Sequence, residues 1–428
     1  MTSAAARIPG PDTDGFADIA EVGGLHNYQL KLHAEYGPVA RFRLPGADTA
    51  VSVADPVLLE AAAKIDKRPE KLFEFLAPLQ ESDNLQTIDA ARHTPWRRAL
   101  LSVLAGRPSH EAHFGEFVAL AGDLADRWAA ADGPIPLQHD LSALSLRLIC
   151  AYALGSDSAE PDRIVAAFHD VLSEYLTRLY QPDAPSNPEW AQAALAYLRH
   201  CVDEVLAANR GGSELIAALA AAGQPPARIR DSVLMTMLAA HHTTGVAVSW
   251  TLYLLARHPD ITERVVAELA EVLGARPAPD YADLKRLTYL GMVLKESMRL
   301  YPPGPYGARE TTEELRLGEY LLPAGTTIFC PIWAIHLNPE YWPAPEVFDP
   351  ERFTPARSAE RPRLAYLPFG FGPRSCEGAA LAQLEAELML AILLRRFHFE
   401  IVADHPVVPI ERFVLWAADD ILMRVTPR

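Results

Sequence analysis

A single cysteine, Cys376, lies in the glycine-rich stretch PFGFGPRSCEG, just before a segment whose apolar residues recur at helical spacing. The amino end of a helix carries partial positive charge and unpaired N–H groups, so a thiolate placed there is stabilised and can serve as a metal ligand. An isolated cysteine is more often a small buried hydrophobic residue. The residues around Cys376 must decide between these two interpretations.

A second polar cluster lies in MLAAHHTTGVAVSW, residues 237–250, inside a run that otherwise predicts a buried helix. His241 and His242 suggest a metal site. Neighbouring positions on a helix point about 100° apart, however, so the two residues cannot easily converge on one ion. Helical ligand pairs usually stand at i and i+4, and no such partner follows these histidines. The sequence therefore disfavours a zinc hydrolase.

Composition limits the classes of function. The net charge of −16 and the pI near 5.3 argue against a nucleic-acid-binding protein, which needs a basic face. The four cysteines have long spacings and no C-x-x-C pair, unlike a disulfide framework, and this favours a reducing cytoplasm. Residues 1–24 are polar and broken by Pro and Gly, without the apolar stretch of a signal peptide. We expect a soluble cytoplasmic protein without a membrane anchor.

Helical spacing of apolar residues dominates the chain between 93 and 300. Breaks that contain Gly or Pro are expected at 106–108, 133–136, 181–188, 223–226 and 275–279. The longest predicted helix covers 227–257, or ~45 Å at 1.5 Å per residue, and is apolar on most of its circumference. We therefore expect it to cross the core. A further helix is expected over 379–397.

Strand signals are few and grouped. The segments 38–56 and 314–333 are β-branched runs around a Pro/Gly turn, so each predicts a hairpin. A third hairpin is expected near the C-terminus, where FVLWA and ILMRVT flank 418–420. The sequence thus predicts a mainly α fold. Its β-rich part covers about 38–56, 314–333 and 399–428, and its helical part covers about 57–313 and 334–398.

The order of residues around Cys376 resolves the first question. The pattern F-x-x-G-x-[RH]-x-C-x-G is matched at every fixed position, by Phe369, Gly372, Arg374, Cys376 and Gly378, and Leu381, Ala382 and Glu385 follow it. This loop resembles the haem-binding loop of the cytochrome P450 family. The resemblance implies that Cys376 is the thiolate ligand of haem b iron, which favours O–O cleavage. Glycines, Gly370 among them, let the backbone approach the macrocycle.

The resemblance also assigns residues to the edges of the haem. Phe369 would shield the sulfur from water, and Arg374 would pair a haem propionate. His93 and Arg97, in ARHTPWRRALLSV, occupy positions that imply propionate binding, although a solvated helix face is the plainer interpretation of that spacing. Arg309, which follows PPGPYG just ahead of a predicted strand, matches a further propionate-pairing position.

Three charged residues resemble a structural network of the same family. Glu296 and Arg299 of KESMRLYPP stand at i and i+3, which alone is an ordinary surface ion pair. Together with Arg352 of FDPERF they resemble the Glu-Arg-Arg network that holds the chain ahead of the cysteine loop. The resemblance implies a structural role for them, and not a catalytic one.

The segment AAHHTT resembles the family's oxygen-binding pattern [AG]-G-x-[DE]-T-[TS]. Ala239, Thr243 and Thr244 fit it, Ala240 stands where glycine is usual, and His242 stands where an acid is expected. Thr243 would hydrogen-bond the oxygen, and its hydroxyl can take a backbone carbonyl and help open the helix. Either His242 relays protons near neutral pH, or ordered water and substrate groups replace the acid. The relay hypothesis predicts impaired turnover and coupling in a His242→Ala variant.

The resemblance implies one cytochrome P450 domain over 1–428, of the soluble bacterial type, with a triangular-prism fold, a smaller β-rich lobe and haem b between the long helix and the Cys376 helix. The implied reaction inserts one atom of O₂ into an apolar small molecule, by hydroxylation or epoxidation. A terpenoid or polyketide of secondary metabolism would suit it. Two electrons from NAD(P)H would arrive through a ferredoxin and a ferredoxin reductase, and we expect a monomer.

Two other functions stay open at this point. The missing acid favours an atypical haem-thiolate enzyme that uses peroxide or catalyses oxidative coupling, rearrangement or dehydration. A haem-binding sensor or carrier without turnover is a further alternative, against which Thr243 argues. Supplying hydrogen peroxide in place of electron donors separates the first alternative from a monooxygenase. Product formation with any surrogate ferredoxin excludes the second.

Overall fold

The chain is mainly helical, as the sequence predicts. The computed structural model describes residues 8–13, 15–43, 49–83, 85–155, 160–180, 187–207, 214–412 and 414–428. The helices are α1 (Phe16–Glu21), α2 (Leu25–Tyr36), α3 (Pro56–Leu59), α4 (Glu70–Phe73), α5 (Ala90–Leu104), α6 (Arg107–Ala129), α7 (Leu137–Leu154), α8 (Pro161–Tyr180), α9 (Pro188–Ala207), α10 (Glu214–Ala221), α11 (Pro226–Arg257), α12 (Pro259–Leu273), α13 (Tyr281–Leu284), α14 (Thr288–Leu300), α15 (Ile332–His336), α16 (Pro355–Ala359) and α17 (Ala379–Arg396).

Small sheets make up the β-rich part. The strands are β1 (Val39–Arg43), β2 (Thr49–Val53), β3 (Ile135–Pro136), β4 (Gly307–Glu310), β5 (Leu315–Leu317), β6 (Tyr320–Leu322), β7 (Thr327–Cys330), β8 (Phe397–Ile401), β9 (Pro409–Arg412), β10 (Val414–Ala417) and β11 (Leu422–Pro427). The largest sheet has the order β1-β2-β7-β4, in which only the β2–β7 pair is parallel. A three-stranded sheet has the order β3-β11-β8, and two further pairs are β9–β10 and β5–β6.

The long helix predicted over 227–257 is α11, and its bounds are confirmed within one residue. Its start is favoured by Pro226, because a proline at the first helical position loses no hydrogen bond. The helix is buried over most of its length and packs most extensively against α7. The predicted breaks at 133–136 and 275–279 fall between helices. Those at 106–108 and 223–226 span helix junctions, with 107–108 and 226 already in the first turn of the next helix, while much of 181–188 lies outside the described residues.

The crossing of α11 and α7 depends on one glycine. A Cβ atom built on Gly245 would lie 2.6 Å from the backbone N of Ser142 and 2.8 Å from the O of Leu141. No real Cβ tolerates such a distance to backbone atoms, so only glycine permits this approach of the two helix axes. Gly245 thereby sets the position of the neighbouring Thr243 and Thr244 relative to the rest of the core.

Two of the three predicted hairpins are found, one of them shortened. Strands β1 and β2 pair antiparallel as expected, and their connection at 44–48 lies outside the described residues. In the second segment only β5 and β6 form a hairpin. The strand β7 instead pairs with β2 and β4, and β4 lies in a segment that the sequence assigned to the helical part.

The predicted C-terminal hairpin is wrong. Strand β10 pairs with β9, whereas β11 pairs with β8 and β3. The reason lies at Asp420, whose carboxylate accepts hydrogen bonds from the backbone N–H groups of Gln138 at 2.8 Å and His139 at 3.0 Å. These are orphan donors in the first turn of α7, so Asp420 ties the turn to that helix and directs β11 into another sheet.

The cysteine-containing loop is fixed against the amino-terminal part of the chain. A Cβ atom built on Gly372 would lie 2.2 Å from the carbonyl oxygen of Ala63, and the φ of Gly372 is 68°. Both observations require glycine at this position. Among the described residues, no helix combines the length and hydrophobicity that a membrane span demands. That all 428 residues form a single domain stays a prediction.

Candidate active site

The loop that carries Cys376 is shaped by backbone hydrogen bonds. The Cys376 N–H donates to the carbonyl oxygen of Phe369 at 2.9 Å, and the Ser375 N–H donates to that of Gly372 at 3.1 Å. Gly370 has a φ of 68°, in the left-handed region that favours glycine. The loop therefore closes on itself immediately before α17 begins at Ala379 and presents the thiol from a fixed backbone.

Two connected cavities lie between this loop and α11. The larger has an empty volume of about 1210 Å³ and the smaller about 700 Å³, part of which opens to solvent. The lining that they share comes from α11 and from the cysteine side, at Ala239, Thr243, Thr244, Cys376, Glu377 and Ala382. The Cys376 side chain is exposed because it faces this space. The structure thus places the predicted ligand and most of the predicted oxygen-binding residues on the lining of the same cavities.

Most of the residues predicted for the site line these cavities. They are Ala239, Thr243, Thr244, Arg309, Phe369, Gly370, Arg374, Cys376 and Gly378. Three predicted residues, His93, Arg97 and His242, line neither cavity. His93 and Arg97 lie next to the cysteine loop, and His242 packs against Trp416 in the core. Met235, Pro303 and Tyr306 also contribute to the lining.

The thiol of Cys376 is held in its protonated form in this structure. Although the side chain is accessible from the cavity, the protein atoms around it desolvate the thiolate and raise the pKa of Cys376 to about 11. The nearby Glu377 carboxylate raises this pKa further, against smaller opposing effects of the Gly378 N–H and of Arg97 and Arg68. A metal ligand must give up its proton, so an ion bound here would replace the proton and supply the missing positive charge. The helix start alone does not make Cys376 a thiolate.

Three arginines project into the larger cavity without full compensation of their charge. Arg68 Nε, Arg309 Nε and Arg374 Nη1 are buried and have no hydrogen-bond partner among the described residues. Burial lowers the pKa of Arg68 to about 9, and repulsion by Arg309 and Arg374 adds to it. Burial likewise lowers the pKa of Arg309 to about 10. We call Arg68, Arg309 and Arg374 the cavity cluster.

The cavity cluster fits the carboxylates of a haem. Unpaired buried guanidinium nitrogens are costly, and a carboxylate restores both their hydrogen bonds and their charge balance. The larger cavity beside Cys376 has an empty volume of about 1210 Å³, part of it open to solvent, and this is the space in which a haem ring would lie. Arg68 was not foreseen from the sequence, because the surrounding stretch KIDKRPEK matches no part of the family pattern.

The remaining nitrogens of the cavity cluster hold the arginines in place. Arg374 Nε and Nη2 donate to the carbonyl oxygen and the carboxylate of Asp66 at 3.0 and 2.8 Å. Arg309 Nη2 donates to the carbonyl oxygen of Phe371 at 2.7 Å, and Arg68 Nη2 to that of Arg374 at 3.0 Å. Each guanidinium is therefore oriented before any ligand binds.

His93 and Arg97 contact the cysteine loop and not the cavity. Arg97 Nη1 donates to the carbonyl oxygen of Ser375 at 2.6 Å, and its Nη2 donates to the Ser375 hydroxyl at 3.0 Å. His93 Nδ1 lies 3.5 Å from the carboxylate of Asp66. Burial and the positive charge of Arg374 lower the pKa of His93 to about 4, so it is neutral at pH 7. Their predicted propionate contact stays a prediction.

Thr243 and Thr244 follow each other on the wall that α11 provides. The Thr243 hydroxyl donates to the carbonyl oxygen of Ala239 at 2.8 Å, as expected for a threonine that bonds back to its own helix. The helix is continuous through this carbonyl, so the predicted local opening is not present. Thr244 is buried and lines both cavities.

The two adjacent histidine rings lie close together, although neighbouring helical positions point about 100° apart. Their ring centroids lie 3.6 Å apart, and the pair is enclosed by Phe168 at 5.0 Å from His241 and by Trp416 at 5.2 Å from His242. The His241 Nδ1 lies 3.0 Å from the carbonyl oxygen of Leu238, which turns this ring back along the helix. Burial between aromatic side chains thus outweighs the angular spacing of neighbouring helical positions.

The same burial determines the charge of these rings. It lowers the pKa of His241 to about 4, and it lowers the pKa of His242 well below its usual value, with further effects of His241 and His169. Both imidazoles are therefore neutral at pH 7. Among the described residues, no group of three or more His, Cys, Asp or Glu side chains is placed to hold a metal ion. The proton-relay role of His242 stays a prediction.

A carboxyl group that the sequence left without a role completes the cavity wall. Glu385 of α17 is buried and lines the smaller cavity, and its Oε1 has no hydrogen-bond partner among the described residues. Burial raises its pKa to about 8. Glu385 follows the cysteine motif in sequence, but only the fold shows that it lines the same cavity as Thr244.

Behind the loop, Glu296, Arg299 and Arg352 form a closed ion network, which we call the Glu296 cluster. Arg299 donates to both oxygens of Glu296, at 2.7 and 2.8 Å, and Arg352 Nε donates at 3.2 Å. Arg299 Nη1 also donates to the carbonyl oxygen of His336 at 2.9 Å, and Arg352 Nη1 to that of Pro343 at 2.7 Å. The network joins α14 to the irregular chain that leads to the cysteine loop.

Comparison with known proteins agrees with this geometry. Residues 213–424 match the family model described as Cytochrome P450. The chain is similar to thromboxane-A synthase of Mus musculus, with 42% identity over 173 residues, or 40% of this chain and 32% of that protein. It is also similar to Cytochrome P450 4F12 of Homo sapiens, with 42% identity over 180 residues, or 41% of this chain and 34% of that protein. The aligned segment therefore spans about a third of the length of these relatives.

Proposed function

Because this chain belongs to the cytochrome P450 family, we propose that it is a haem-thiolate monooxygenase that inserts one oxygen atom of O₂ into an apolar small molecule. The second oxygen atom leaves as water and takes up two electrons and two protons. The observation that carries the proposal is the shared cavity, in which Cys376 faces Thr243 and three arginines present unpaired nitrogens.

Different residues of the site would bind the haem, hydrogen-bond oxygen and exclude water. Cys376 would hold the haem iron, and the cavity cluster would hold the propionates of haem b. Haem bound through a thiolate supplies the activation of dioxygen. Thr243 places a hydroxyl on the α11 wall, where it can donate a hydrogen bond to oxygen in place of the Ala239 carbonyl. Leu100, Leu104 and other apolar side chains of the lining exclude water.

The finer features of the function are also part of this proposal. A ferredoxin and its reductase would deliver the electrons, in the cytoplasm, to a monomeric enzyme that acts in secondary metabolism on a terpenoid or polyketide. The apolar majority of the cavity lining supports an apolar substrate. Reconstitution with a ferredoxin system in parallel with a flavoprotein reductase, each with NADPH, identifies the donor that supports turnover.

A second function is favoured by one observation. His242 occupies the place of the expected acid, yet it is buried and neutral and lines neither cavity. An enzyme that uses peroxide, or that rearranges or couples its substrate, needs no protons delivered by an acid at that place. Product formation with hydrogen peroxide but with no electron-donor system would favour this second function.

The first experiment is a carbon monoxide difference spectrum of the reduced protein. Thiolate ligation by Cys376 predicts a strongly red-shifted Soret band, which Cys376→Ser removes. Cys330→Ser is the matched control, since Cys330 is buried and lines the same larger cavity. A folded protein that lacks the band, or a Cys376→Ser variant that retains it, contradicts the proposed function.

A further inference from the structure

Two aromatic rings stack on each other close to residues that line the larger cavity. The ring of Trp250 on α11 and that of Tyr301, just past the end of α14, have centroids 4.1 Å apart and an interplanar angle of 7°. Trp250 stands three residues after Ala247, and Tyr301 stands three residues after Met298. Ala247 and Met298 both line the larger cavity, so each ring follows a lining residue by nearly one helical turn, or ~4.5 Å along the axis.

A third ring, that of Tyr253, continues this stack toward the surface. Its centroid lies 5.7 Å from that of Trp250. Tyr253 is half-buried, and its hydroxyl accepts a hydrogen bond at 3.2 Å from Nη1 of the exposed Arg257. Burial raises the pKa of Tyr301, and Tyr253 raises it further against an opposing effect of Arg257, as expected for groups that lie close together. We call Trp250, Tyr301 and Tyr253 the aromatic line.

The composition and spacing of the aromatic line suit the transfer of electrons. Indole and phenol rings lose an electron more readily than phenyl or imidazole rings do. Electron transfer slows steeply with distance, so two short steps are faster than one long step. Building on the proposed function, we propose that the aromatic line conducts electrons from the protein surface to the cavity when an oxidant is activated there without a substrate. The line thereby protects the enzyme from its own oxidant.

The electron balance of this role closes with a peroxide and a thiol. Hydrogen peroxide, or dioxygen reduced to the same level, is the oxidant, and a thiol in solution is the reductant. Trp250 gives one electron to the cavity and recovers it from Tyr253, whose hydroxyl releases a proton to water. One thiol then returns an electron and a proton to Tyr253. Two such transfers, with two protons, convert one peroxide into two molecules of water and two thiols into one disulfide.

The surroundings of Trp250 stabilise the positive charge that its ring carries after it loses an electron. Its N–H donates to the carbonyl oxygen of Leu415 at 2.8 Å, and the partial negative charge of that oxygen attracts the oxidised indole. The electron-rich face of the stacked Tyr301 ring acts in the same direction. Trp250 is fully buried, which keeps water from adding to the oxidised ring. The Tyr253 hydroxyl, by contrast, lies where solvent can take up its proton.

Two other oxidisable rings, those of Trp96 and Tyr306, line the cavities themselves. The ring of Trp96 lies 5.5 Å from that of His93, and the ring of Tyr306 lies 5.1 Å from that of Phe329. Imidazole and phenyl rings resist oxidation, so these contacts do not pass an electron onward. An oxidising equivalent on Trp96 or Tyr306 would stay in the cavity wall, whereas the aromatic line leads it to the surface.

Electron paramagnetic resonance of the haem-loaded protein tests the aromatic line directly. Mixing with hydrogen peroxide in the absence of substrate, followed by rapid freezing, should trap a tyrosyl radical. Protein that contains ring-deuterated tyrosine identifies this radical by its narrower hyperfine pattern. We expect Tyr253→Phe to lose most of the signal, and Trp250→Phe to lose it as well because the line is cut before Tyr253. Equal tyrosyl signals in wild type and in both variants would overturn the proposal.

Two matched controls distinguish a cut in the line from the loss of any aromatic ring. Trp128→Phe removes another buried tryptophan whose N–H donates a hydrogen bond, to Asp140 at 2.7 Å. Tyr281→Phe removes another half-buried tyrosine that lies beside an arginine, Arg107 at 6.0 Å. Both controls should retain the radical yield of wild type. A loss of signal in either control would contradict the assignment to the aromatic line.

Survival of the protein provides a second measurement. With peroxide and no substrate, the haem absorbance of Trp250→Phe and Tyr253→Phe should bleach several times faster than that of wild type. Glutathione should slow the bleaching of wild type much more than that of the variants. Mass spectrometry should find more oxidation at Trp96 and Met298 in the variants, because the oxidant stays in the cavity that these residues line.

The outcomes separate this proposal from the proposed function. If the thiolate spectrum is absent from folded protein, both proposals fail. If the spectrum is present, and Tyr253→Phe matches wild type in radical yield, bleaching and oxidised residues, the aromatic line fails alone. Tyr253→Phe decides the question even where Trp250→Phe does not fold, since Tyr253 is half-buried and the substitution keeps its ring.

Discussion

The two buried arginine clusters differ in how completely their surroundings compensate their charge and satisfy their hydrogen bonds. In the Glu296 cluster both arginines donate to one fully buried carboxylate, and their other nitrogens reach backbone carbonyls. In the cavity cluster each arginine is oriented by its neighbours and yet keeps one buried nitrogen without a partner. The pKa of Arg68 is lowered to about 9, which shows the cost of that arrangement.

This difference separates a structural site from a binding site. A buried charge whose partner is present stabilises the fold only modestly, but removal of the partner is strongly destabilising. A buried charge whose partner is absent lowers stability until a ligand supplies the opposite charge. The cavity cluster thus lowers the stability of the ligand-free protein. In the proposed function an anionic cofactor binds there and stabilises the folded state.

The largest expected effect concerns the Glu296 cluster. Glu296→Gln leaves two buried guanidinium groups without their carboxylate, so we expect the free energy of unfolding to fall by about 3–5 kcal/mol. Urea unfolding at pH 7 measures it. Glu385→Gln is the matched control at a buried carboxyl group with no arginine partner, and it should not destabilise the protein. A loss of similar size in both variants would contradict the comparison.

The next effect concerns haem affinity. Arg68→Met removes one unpaired nitrogen of the cavity cluster, and a hydrogen bond to a charged group contributes about 1.5–3 kcal/mol. We therefore expect haem titration to show an affinity lowered by about tenfold to hundredfold. Arg361→Met provides the control, because Arg361 packs over Trp342 beside the Glu296 cluster. An equal loss of affinity in Arg361→Met would show that the cavity cluster has no special role.

A haem derivative with esterified propionates sharpens this result. The ester carries no negative charge, so wild-type protein should bind it about tenfold more weakly than haem. Arg68→Met should then bind the ester as well as wild type does, because the interaction that the variant loses is already missing. If Arg68→Met weakens haem and ester binding alike, the arginine acts through the fold and not through the propionates.

The smallest effect concerns the haem-free protein. Arg68→Met removes a buried charge that is incompletely paired, so the haem-free variant should be more stable than wild type by about 1 kcal/mol at pH 7. Urea unfolding at pH 7 measures this difference, and a destabilised variant would contradict the expectation.

Features that depend on contiguous residues were predictable from the sequence. The residue spacings that identify the cysteine loop and α11 each lie within one short segment of the sequence. The glycines and prolines of these segments mark where the backbone geometry is constrained. The placement of Thr243 opposite Cys376 followed from the family resemblance, because two distant motifs of one fold share one cavity.

Features that depend on distant neighbours were not predictable. Arg68 has no signature in its own segment, and only the fold brings it beside Arg374. The close packing of His241 and His242 depends on aromatic side chains from α8 and β10. Likewise, the C-terminal strands pair as they do because Asp420 binds the start of α7. In each case a tertiary contact outweighs the local pattern.

The close approach of Gly372 to the Ala63 carbonyl oxygen has a consequence for any attempt to shorten the chain. The cysteine loop packs against residues that precede it by about three hundred positions in the sequence. Besides Ala63, they include Asp66, Arg68 and Ile88. A fragment confined to 213–424 would contain the cysteine motif but not the scaffold that shapes it. The smallest autonomous unit able to bind the cofactor must therefore begin before Ala63.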